Sequence, residues 1–196
     1  NHRAAGRALA EAIIGSCADT AAAPGPEGLI AIGGNRATPA SVERVAGMQA
    51  AVDATPGVEL LQTIHSEWRR DKAASQMQGL LGRWPRTRFV WAANDPMALG
   101  ALDAAVARGR RPGEDVFIGG INWSAAALEA IGDGRLAASV GGHFLQGAWA
   151  LVLIHDHHHG RDFADLGVRI EAPMSVIDRS NVEAYVAALG DEDWDR

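Results

Sequence analysis

The residues best suited to bind a ligand come in pairs, each at the carboxyl end of a short apolar run that is typical of a strand. The five pairs are Asn35 and Arg36, Glu67 and Trp68, Asn94 and Asp95, Asn122 and Trp123, and His143 and Phe144. Amide and carboxylate groups exchange hydrogen bonds with hydroxyls, and an aromatic face covers the C–H side of a sugar ring. The set therefore suits a neutral, polyhydroxylated ligand.

The elements that must position these pairs alternate along the chain. Apolar residues at helical spacing predict helices over 4–16, 39–54, 69–84, 96–109, 124–134 and 143–159. Short apolar runs predict buried strands over 29–34, 58–65, 88–93, 115–121 and 136–142. This order predicts an α/β fold with a doubly wound parallel sheet and right-handed crossovers. Ligands bind such sheets outside the carboxyl ends of the strands, where the five pairs fall.

The stretch after residue 160 departs from this alternation. Short strand-like pieces split by Pro173 are followed by one helix with its cap near Ser180 or Asn181. We expect it to be a return segment rather than a continuation of the α/β pattern.

Two of the predicted helices carry clear start signals. Thr38 precedes Pro39, and Asn94 and Asp95 precede Pro96, so Thr38 and one member of the Asn94–Asp95 pair are expected as caps. Capping is the favoured role of Asp95 whatever the function, whereas capping and ligand binding are evenly balanced for Asn94.

The tryptophans fall into two groups. Trp68 lies outside any apolar periodicity, which favours a role other than core packing. Trp84, Trp91 and Trp149 lie among apolar or helix-patterned neighbours and are expected in core or subdomain packing. Arg44 falls in the second turn of the helix after the first strand, where its spacing alone assigns it no role.

Composition excludes several classes of protein. A chain of 196 residues with 47% hydrophobic residues can bury a sizeable core. The net charge is −6 and the 18 Lys and Arg residues are scattered, which argues against nucleic acid as a direct partner. Cys17 is the only cysteine, so there is neither an internal disulfide nor a thiolate metal cluster. No apolar run approaches the length that spans a bilayer, so no membrane insertion is expected.

Motifs for a metal, a cofactor or catalysis are not evident. His155 and His159 are four residues apart on a predicted helix, but no HExxH glutamate or distant partner accompanies them, and we assign no metal. The chain lacks GxGxxG, GxxxxGK[ST] and GxSxG, which leaves no cofactor and no nucleophile to assign. The sequence therefore favours a binding protein over an enzyme.

Four segments together resemble the type I periplasmic binding proteins of the ribose-binding family. These are solute receptors of ABC importers and of some chemotaxis and quorum-sensing systems. The segments are SVERVAGMQAAV (41–52), ANDPMALGALDAAVARG (93–109), DVFIGGINWSAAALEAIGDGRLAASV (115–140) and GAWALVLIHDHHHGRD (147–162), and the likeness runs over nearly all of residues 1–185. The stretch 121–131 is especially similar to the branch that contains the receptor for a furanosyl borate diester quorum signal.

The resemblance implies roles for individual residues. Arg44 matches the arginine that reaches sugar hydroxyls, Trp68 the aromatic that stacks on the ring, and Asn94 an amide that bonds the ligand. Asn122 takes the place of an aspartate, which weakens the case for an ordinary aldopyranose. His143 is the local substitute for a polar group near the hinge. With the strand-end residues, the expected ligand-binding set is Arg44, Trp68, Asn94, Asn122, Trp123, His143 and Asn35.

The resemblance also implies an organisation in two lobes joined by three crossings, of which most of the amino-terminal lobe would be absent here. Residues 1–141 are expected to form the carboxy-terminal lobe, 142–170 a hinge crossing and a segment of the amino-terminal lobe, and 171–196 a return segment and tail.

The implied function is a periplasmic receptor that captures a sugar-like ligand for an ABC transporter permease or a membrane sensor. Two alternatives share the fold. One is the effector domain of a lactose/galactose-type repressor, and the other is the input domain of a sensor kinase. The segment 134–140, GRLAASV, lacks the proline-led segment that is usual in such repressors.

Overall fold

The computed structural model describes residues 1–17, 25–161 and 173–189. Its helices are α1 (His2–Gly15), α2 (Pro39–Asp53), α3 (Arg70–Arg83), α4 (Asp95–Ala107), α5 (Ala125–Gly132), α6 (Leu145–His158) and α7 (Val182–Leu189). Its strands are β1 (Glu27–Gly33), β2 (Val58–His65), β3 (Thr87–Ala92), β4 (Phe117–Ile121), β5 (Ala138–Gly141) and β6 (Ser175–Asp178). The predicted alternation of strands and helices is confirmed.

The strands form one six-stranded sheet in the order β2-β1-β3-β4-β5-β6. The five strands from β1 to β5 are parallel, as expected. β6 pairs antiparallel with β5, so the return segment adds an edge strand to the sheet. The strand-like piece predicted before Pro173 lies outside the described residues.

Helices cover both faces of the sheet, and two adjacent glycines of β4 mark the two sides. A Cβ atom on Gly119 would meet Leu9 and Ile13 of α1, whereas a Cβ atom on Gly120 would meet Asp95 and Ala98 of α4. Because successive residues of a strand point to opposite faces, α1 and α4 lie on opposite sides. α2 packs beside α1, and α3 packs beside α4.

The tryptophans only partly follow expectation. Trp91 is fully buried, and its indole N–H donates to the carbonyl oxygen of Gly6 at 3.0 Å. Trp84 is half-buried and donates to Gln62 at 3.2 Å. Trp149 is 60% exposed, so it is not part of the core among the described residues, and its expected subdomain packing stays a prediction. The helical pattern placed Trp149 correctly in α6, but no described element covers that helix.

α1 and α2 cross at very close range, and glycines make this possible. A Cβ atom on Gly6 would lie 2.0 Å from the carbonyl oxygen of Arg44, and one on Gly47 would lie 1.9 Å from that of Arg3. Neither distance leaves room for a side chain. The crossing holds the backbone of Arg44 against α1, which matters because Arg44 is a candidate ligand residue.

We predict that Gly47→Ala lowers the free energy of unfolding by about 1–3 kcal/mol, because the new methyl group must push two helix backbones apart. Gly79→Ala is the matched control, since Gly79 is also inside a helix but a methyl group added there would have no atom within 4 Å. That change should stabilise the protein by about 0.5–1 kcal/mol. Urea denaturation measures both values, and equal effects of the two substitutions would contradict the close crossing.

No helix among the described residues combines the length and the apolar character that crossing a membrane requires.

Candidate functional site

Asn94 lies between β3 and α4, and its side chain connects this loop to the loop that follows β2. Its side-chain oxygen accepts a hydrogen bond from the Met97 N–H at 3.0 Å, and its amide nitrogen donates to the carbonyl oxygen of Trp68 at 3.2 Å. Asn94 is therefore the cap of α4, and it also fixes the loop that follows β2. Thr38 occupies the corresponding position before α2, but its side chain makes no capping bond to that helix.

Asp95 does not cap α4, which corrects the expectation from the sequence. Asn94 has the extended backbone of a cap residue, and Asp95 is the first residue of the helix itself. The Asp95 carboxylate is fully buried and accepts from the Ser124 N–H at 2.7 Å and from the Ser139 hydroxyl at 2.8 Å. It therefore links α4 to the start of α5 and to β5.

Arg44 is the buried cation of the site, with 4% of its surface exposed. Its Nη1 donates to the carbonyl oxygen of Ala93 at 2.6 Å, directly before Asn94. Its guanidinium carbon lies 5.9 Å from the ring centroid of Trp68, within the range of a cation–π contact. Its Nε lies 3.4 Å from Nδ1 of His2. Arg44, Trp68 and Asn94 thus come together although they lie on three different loops or helices.

Trp68 owes its position to an unusual backbone. Glu67 and Trp68 both have positive φ, at 54° and 66°, which is uncommon for residues other than glycine. The Trp68 ring lies on the backbone of Gly34, where a Cβ atom would come within 2.2 Å of the ring. The half-buried ring is therefore held between the end of β1 and Arg44.

Burial sets the electrostatics of the site. It lowers the pKa of Arg44, an effect that the charge of Asp95 opposes. Burial also raises the pKa of the Asp95 carboxyl, against the hydrogen bonds from Ser124 and Ser139 and the charge of Arg44, which lower it. The two charged groups are thus removed from water and support each other only in part.

Asn122 and Trp123 form a tight turn after β4, with φ of 141° and 60°. The backbone N–H of Asn122 donates to the carbonyl oxygen of Val140 at 2.8 Å, which places this turn at the same carboxyl edge as Asn94. The Trp123 indole N–H donates to the carbonyl oxygen of Ser139 at 3.1 Å. Its ring meets that of Tyr185 edge-on, with centroids 4.8 Å apart, so packing accounts for this side chain.

His143 faces a cavity of about 360 Å³ between α1, α2 and the start of α6. The cavity is lined by Asn1, His2, Arg3, Glu43, His143, Gln146 and Met174. Burial, followed by the charges of Arg44 and His2, lowers the pKa of His143. Its Nδ1 is buried without a hydrogen-bond partner among the described residues. His143 therefore lies within the electrostatic reach of Arg44, and His2 joins this region without any signal in the sequence.

Asn35 belongs to the turn that follows β1. Its side-chain oxygen accepts from the Ala37 N–H at 2.8 Å and closes a turn after β1. It lines an open groove of about 460 Å³ beside the edge strand β2, together with Gln62, His65, Glu67 and Lys72 among others. Asn35 thus lines this groove beside β2 and directly follows Gly34, on whose backbone the Trp68 ring lies.

Within the described ranges, no three His, Cys, Asp or Glu side chains are grouped so that they could hold a metal ion.

Comparison with known proteins identifies the class to which this fold and site belong. Residues 1–162 match the family described as periplasmic binding protein domain, and the chain belongs to this family. A periplasmic sugar-binding protein of Pseudomonas fluorescens has a solved structure that is similar, with a TM-score of 0.84 and 36% identity. The match covers 97% of this chain and 58% of that one, so the chain spans well under two thirds of its solved relative.

Two curated relatives bear on function. The ribose import binding protein of Escherichia coli (strain K12) is 36% identical over 112 residues, which are 57% of this chain and 36% of that protein. A transcriptional regulator of the helix-turn-helix type from Thermobifida fusca is 38% identical over 93 residues, which are 46% of this chain and 27% of the regulator. The family and the ribose import protein are binding proteins rather than enzymes, and the solved relative from Pseudomonas fluorescens is a periplasmic sugar-binding protein.

We predict that His143 makes stability depend on pH. Its folded-state pKa is lowered from 6.5, so the unfolded chain takes up the proton first as the pH falls. Stability should therefore decrease as the pH is lowered through about 6.5. His143→Gln should make this decrease shallower in thermal melts between pH 8 and pH 5, whereas His158→Gln, at an exposed position, is the control. An unchanged pH dependence in His143→Gln would contradict the burial of this ring.

Proposed function

We propose that this chain is the ligand-binding lobe of a periplasmic receptor for a sugar or sugar-like molecule. The observation that carries the proposal is the convergence of Arg44, Trp68 and Asn94 on one edge of the sheet. A guanidinium and an amide offer donors and an acceptor to hydroxyl groups, and the indole offers an apolar face beside them. Similarity to sugar-binding relatives supports the same conclusion.

In this proposal Asn122 and His143 extend the binding surface that Arg44, Trp68 and Asn94 form. The side chain of Asn122 also restricts the class of ligand that is expected. An amide at this position both donates and accepts, unlike the carboxylate expected by resemblance, and it adds no negative charge opposite Arg44. Furanosyl ligands, including the borate diester named by the resemblance, therefore belong in the test beside aldopyranoses. Trp123 and Asn35 remain weaker candidates, since Trp123 is used in packing and the Asn35 side chain closes a turn beside the open groove at β2.

In this proposal the ligand lies in a cleft, with this binding surface on one side and a second lobe on the other. α6 is apolar along most of its length and has no buried residue, with Trp149, Leu151 and Ile154 exposed by 60%, 67% and 67%. A helix of this kind is normally covered by protein. We infer that α6 belongs with an amino-terminal lobe, and that β6 and α7 of the return segment belong with the carboxy-terminal lobe of residues 1–141. The remainder of the expected hinge crossing (142–170) and of the return segment and tail (171–196), namely 162–172 and 190–196, lies outside the described residues.

A ligand held between two lobes favours the closed arrangement by its higher affinity for that state. A membrane partner would respond to closure, either an ABC transporter permease or a membrane sensor. The proposed location is the periplasm, and the proposed role involves no chemical conversion of the ligand.

A thermal-shift screen of the protein expressed from its full-length gene tests this function. The panel comprises D-ribose, D-galactose, D-fructose, myo-inositol and the furanosyl borate diester. A ligand present at about 100 times its dissociation constant should add about 2.7 kcal/mol to the free energy of unfolding. If none of these molecules raises the melting temperature, the proposed sugar-receptor function is refuted.

Trp68→Ala should weaken binding of the tightest panel ligand by about 1–3 kcal/mol, because one ring contact and its burial are lost. Trp84→Ala is the control, since Trp84 lies before β3 at the amino-terminal edge of the sheet. Isothermal titration calorimetry measures both affinities. Equal affinities of Trp68→Ala and the unmodified protein would remove Trp68 from the binding site.

Leu151→Ala should lower the free energy of unfolding of the full-length protein by about 2–5 kcal/mol, as for a buried leucine. In the 196-residue chain the same substitution should change the free energy of unfolding by no more than about 0.5 kcal/mol, as at an exposed site. Val106→Ala is the control, because Val106 is 58% exposed on α4. A small effect of Leu151→Ala in both proteins would contradict the proposed lobe contact.

A second candidate function is the effector domain of a transcriptional repressor, which the similarity to the Thermobifida fusca regulator favours. The sequence of the gene upstream of this region separates the two candidates. A signal peptide favours the receptor, and a helix-turn-helix segment favours the repressor.

A further inference from the structure

The turn after β4 contains two adjacent residues in backbone conformations that side chains rarely adopt. Asn122 has φ of 141° and Trp123 has φ of 60°, and neither is glycine. Such conformations persist only where the surrounding structure holds them, and they are concentrated at functional sites. The groups that hold this turn therefore bear on what the site does.

Two buried side chains supply the restraint. The Asp95 carboxylate accepts from the N–H of Ser124, the residue directly after the turn, at 2.7 Å. Its other oxygen accepts from the Ser139 hydroxyl at 2.8 Å, and the oxygen of that hydroxyl accepts in turn from the Trp123 N–H at 3.2 Å. Both backbone N–H groups that follow Asn122 are thus bound, directly or through Ser139, to one carboxylate.

The carboxylate can reach the turn because β4 has no side chain in its way. A Cβ atom on Gly120 would lie 2.5 Å from Oδ1 of Asp95. Asp95 and Ser139 are both fully buried, and neither is in the expected ligand-binding set of seven residues. A buried carboxylate that accepts one hydrogen bond from a backbone N–H and one from a serine hydroxyl is a rigid support for the turn.

We propose that Asp95 and Ser139 are positioning residues that hold the 122–124 turn and thereby aim the Asn122 amide at the ligand. This inference rests on the proposed sugar-binding function. It extends that function to two residues that set ligand affinity without touching the ligand.

A double-mutant cycle on the full-length protein tests the inference, with the tightest-binding member of the sugar panel as the probe. Ser139→Ala should weaken binding by about tenfold, measured by calorimetry well below the melting temperature. In an Asn122→Ala background the same change should weaken binding by less than about threefold, because no amide is left to position. Ser41→Ala is the matched control, since Ser41 also carries a buried hydroxyl but no described residue bonds it.

Hydrogen exchange gives a readout that needs no ligand. Ser139→Ala should lower the protection of the Trp123 and Ser124 amides, whereas Ser41→Ala should leave it unchanged. If Ser139→Ala does not fold, Asp95→Asn serves instead, because a side-chain amide has one oxygen where the carboxylate has two acceptors.

The outcomes separate the two proposals. If the unmodified protein binds a panel sugar but Ser139→Ala binds it equally well, the positioning role is refuted and the receptor function stands. Additive losses in the double mutant would refute the action through Asn122, as would an unchanged affinity of Asn122→Ala. If no panel sugar binds the unmodified protein, the proposed function is refuted and the affinity role of Asp95 and Ser139 is refuted with it.

Discussion

The site depends on one buried hydrogen bond, from the Arg44 guanidinium to the carbonyl oxygen of Ala93 at 2.6 Å. A buried charge is unfavourable unless hydrogen bonds and nearby charges compensate it. This bond joins α2 to the end of β3, directly before the residue that caps α4. Asn94 extends the connection to the Trp68 carbonyl, so one continuous set of contacts fixes the cation, the amide and the aromatic ring.

The close crossing of α1 and α2 supports this arrangement because it fixes α2, the helix that carries Arg44. Gly6 and Gly47 let the two backbones meet, and the carbonyl of Gly6 also accepts the indole N–H of Trp91 in β3. The carboxyl edge is thus built on a rigid base of helix and strand backbone. Rigid support matters for binding because affinity falls when a site must be ordered at the moment of association.

Periodicity predicted most of the fold, because alternating strands and helices each leave a local signature. The antiparallel pairing of β6 could not be predicted in this way, since strand direction depends on contacts with distant residues. The environment of Trp149 could not be predicted for a related reason: its pattern indicates an apolar helix but not which element covers that helix. In the candidate site, strand-end position was enough to propose Trp68 and Asn94, whereas resemblance was needed to single out Arg44.

The role of Asp95 was the clearest error of local reasoning. Asn94 and Asp95 are both good capping residue types, and both precede Pro96, so the sequence could not tell which of them caps the helix. The structure shows that Asn94 is the cap and that Asp95 is a buried carboxylate. The role of Ser139 could not be predicted from the sequence, because a serine in a short strand indicates no function until its hydrogen-bond partners are known.

A crystal structure of the full-length protein with a bound panel sugar tests the central claim most directly. We predict a sugar hydroxyl within hydrogen-bond distance of the Arg44 guanidinium and a ring face against Trp68. A sugar bound instead in the groove beside β2, with the Arg44, Trp68 and Asn94 side chains making no contact to it, would contradict that claim.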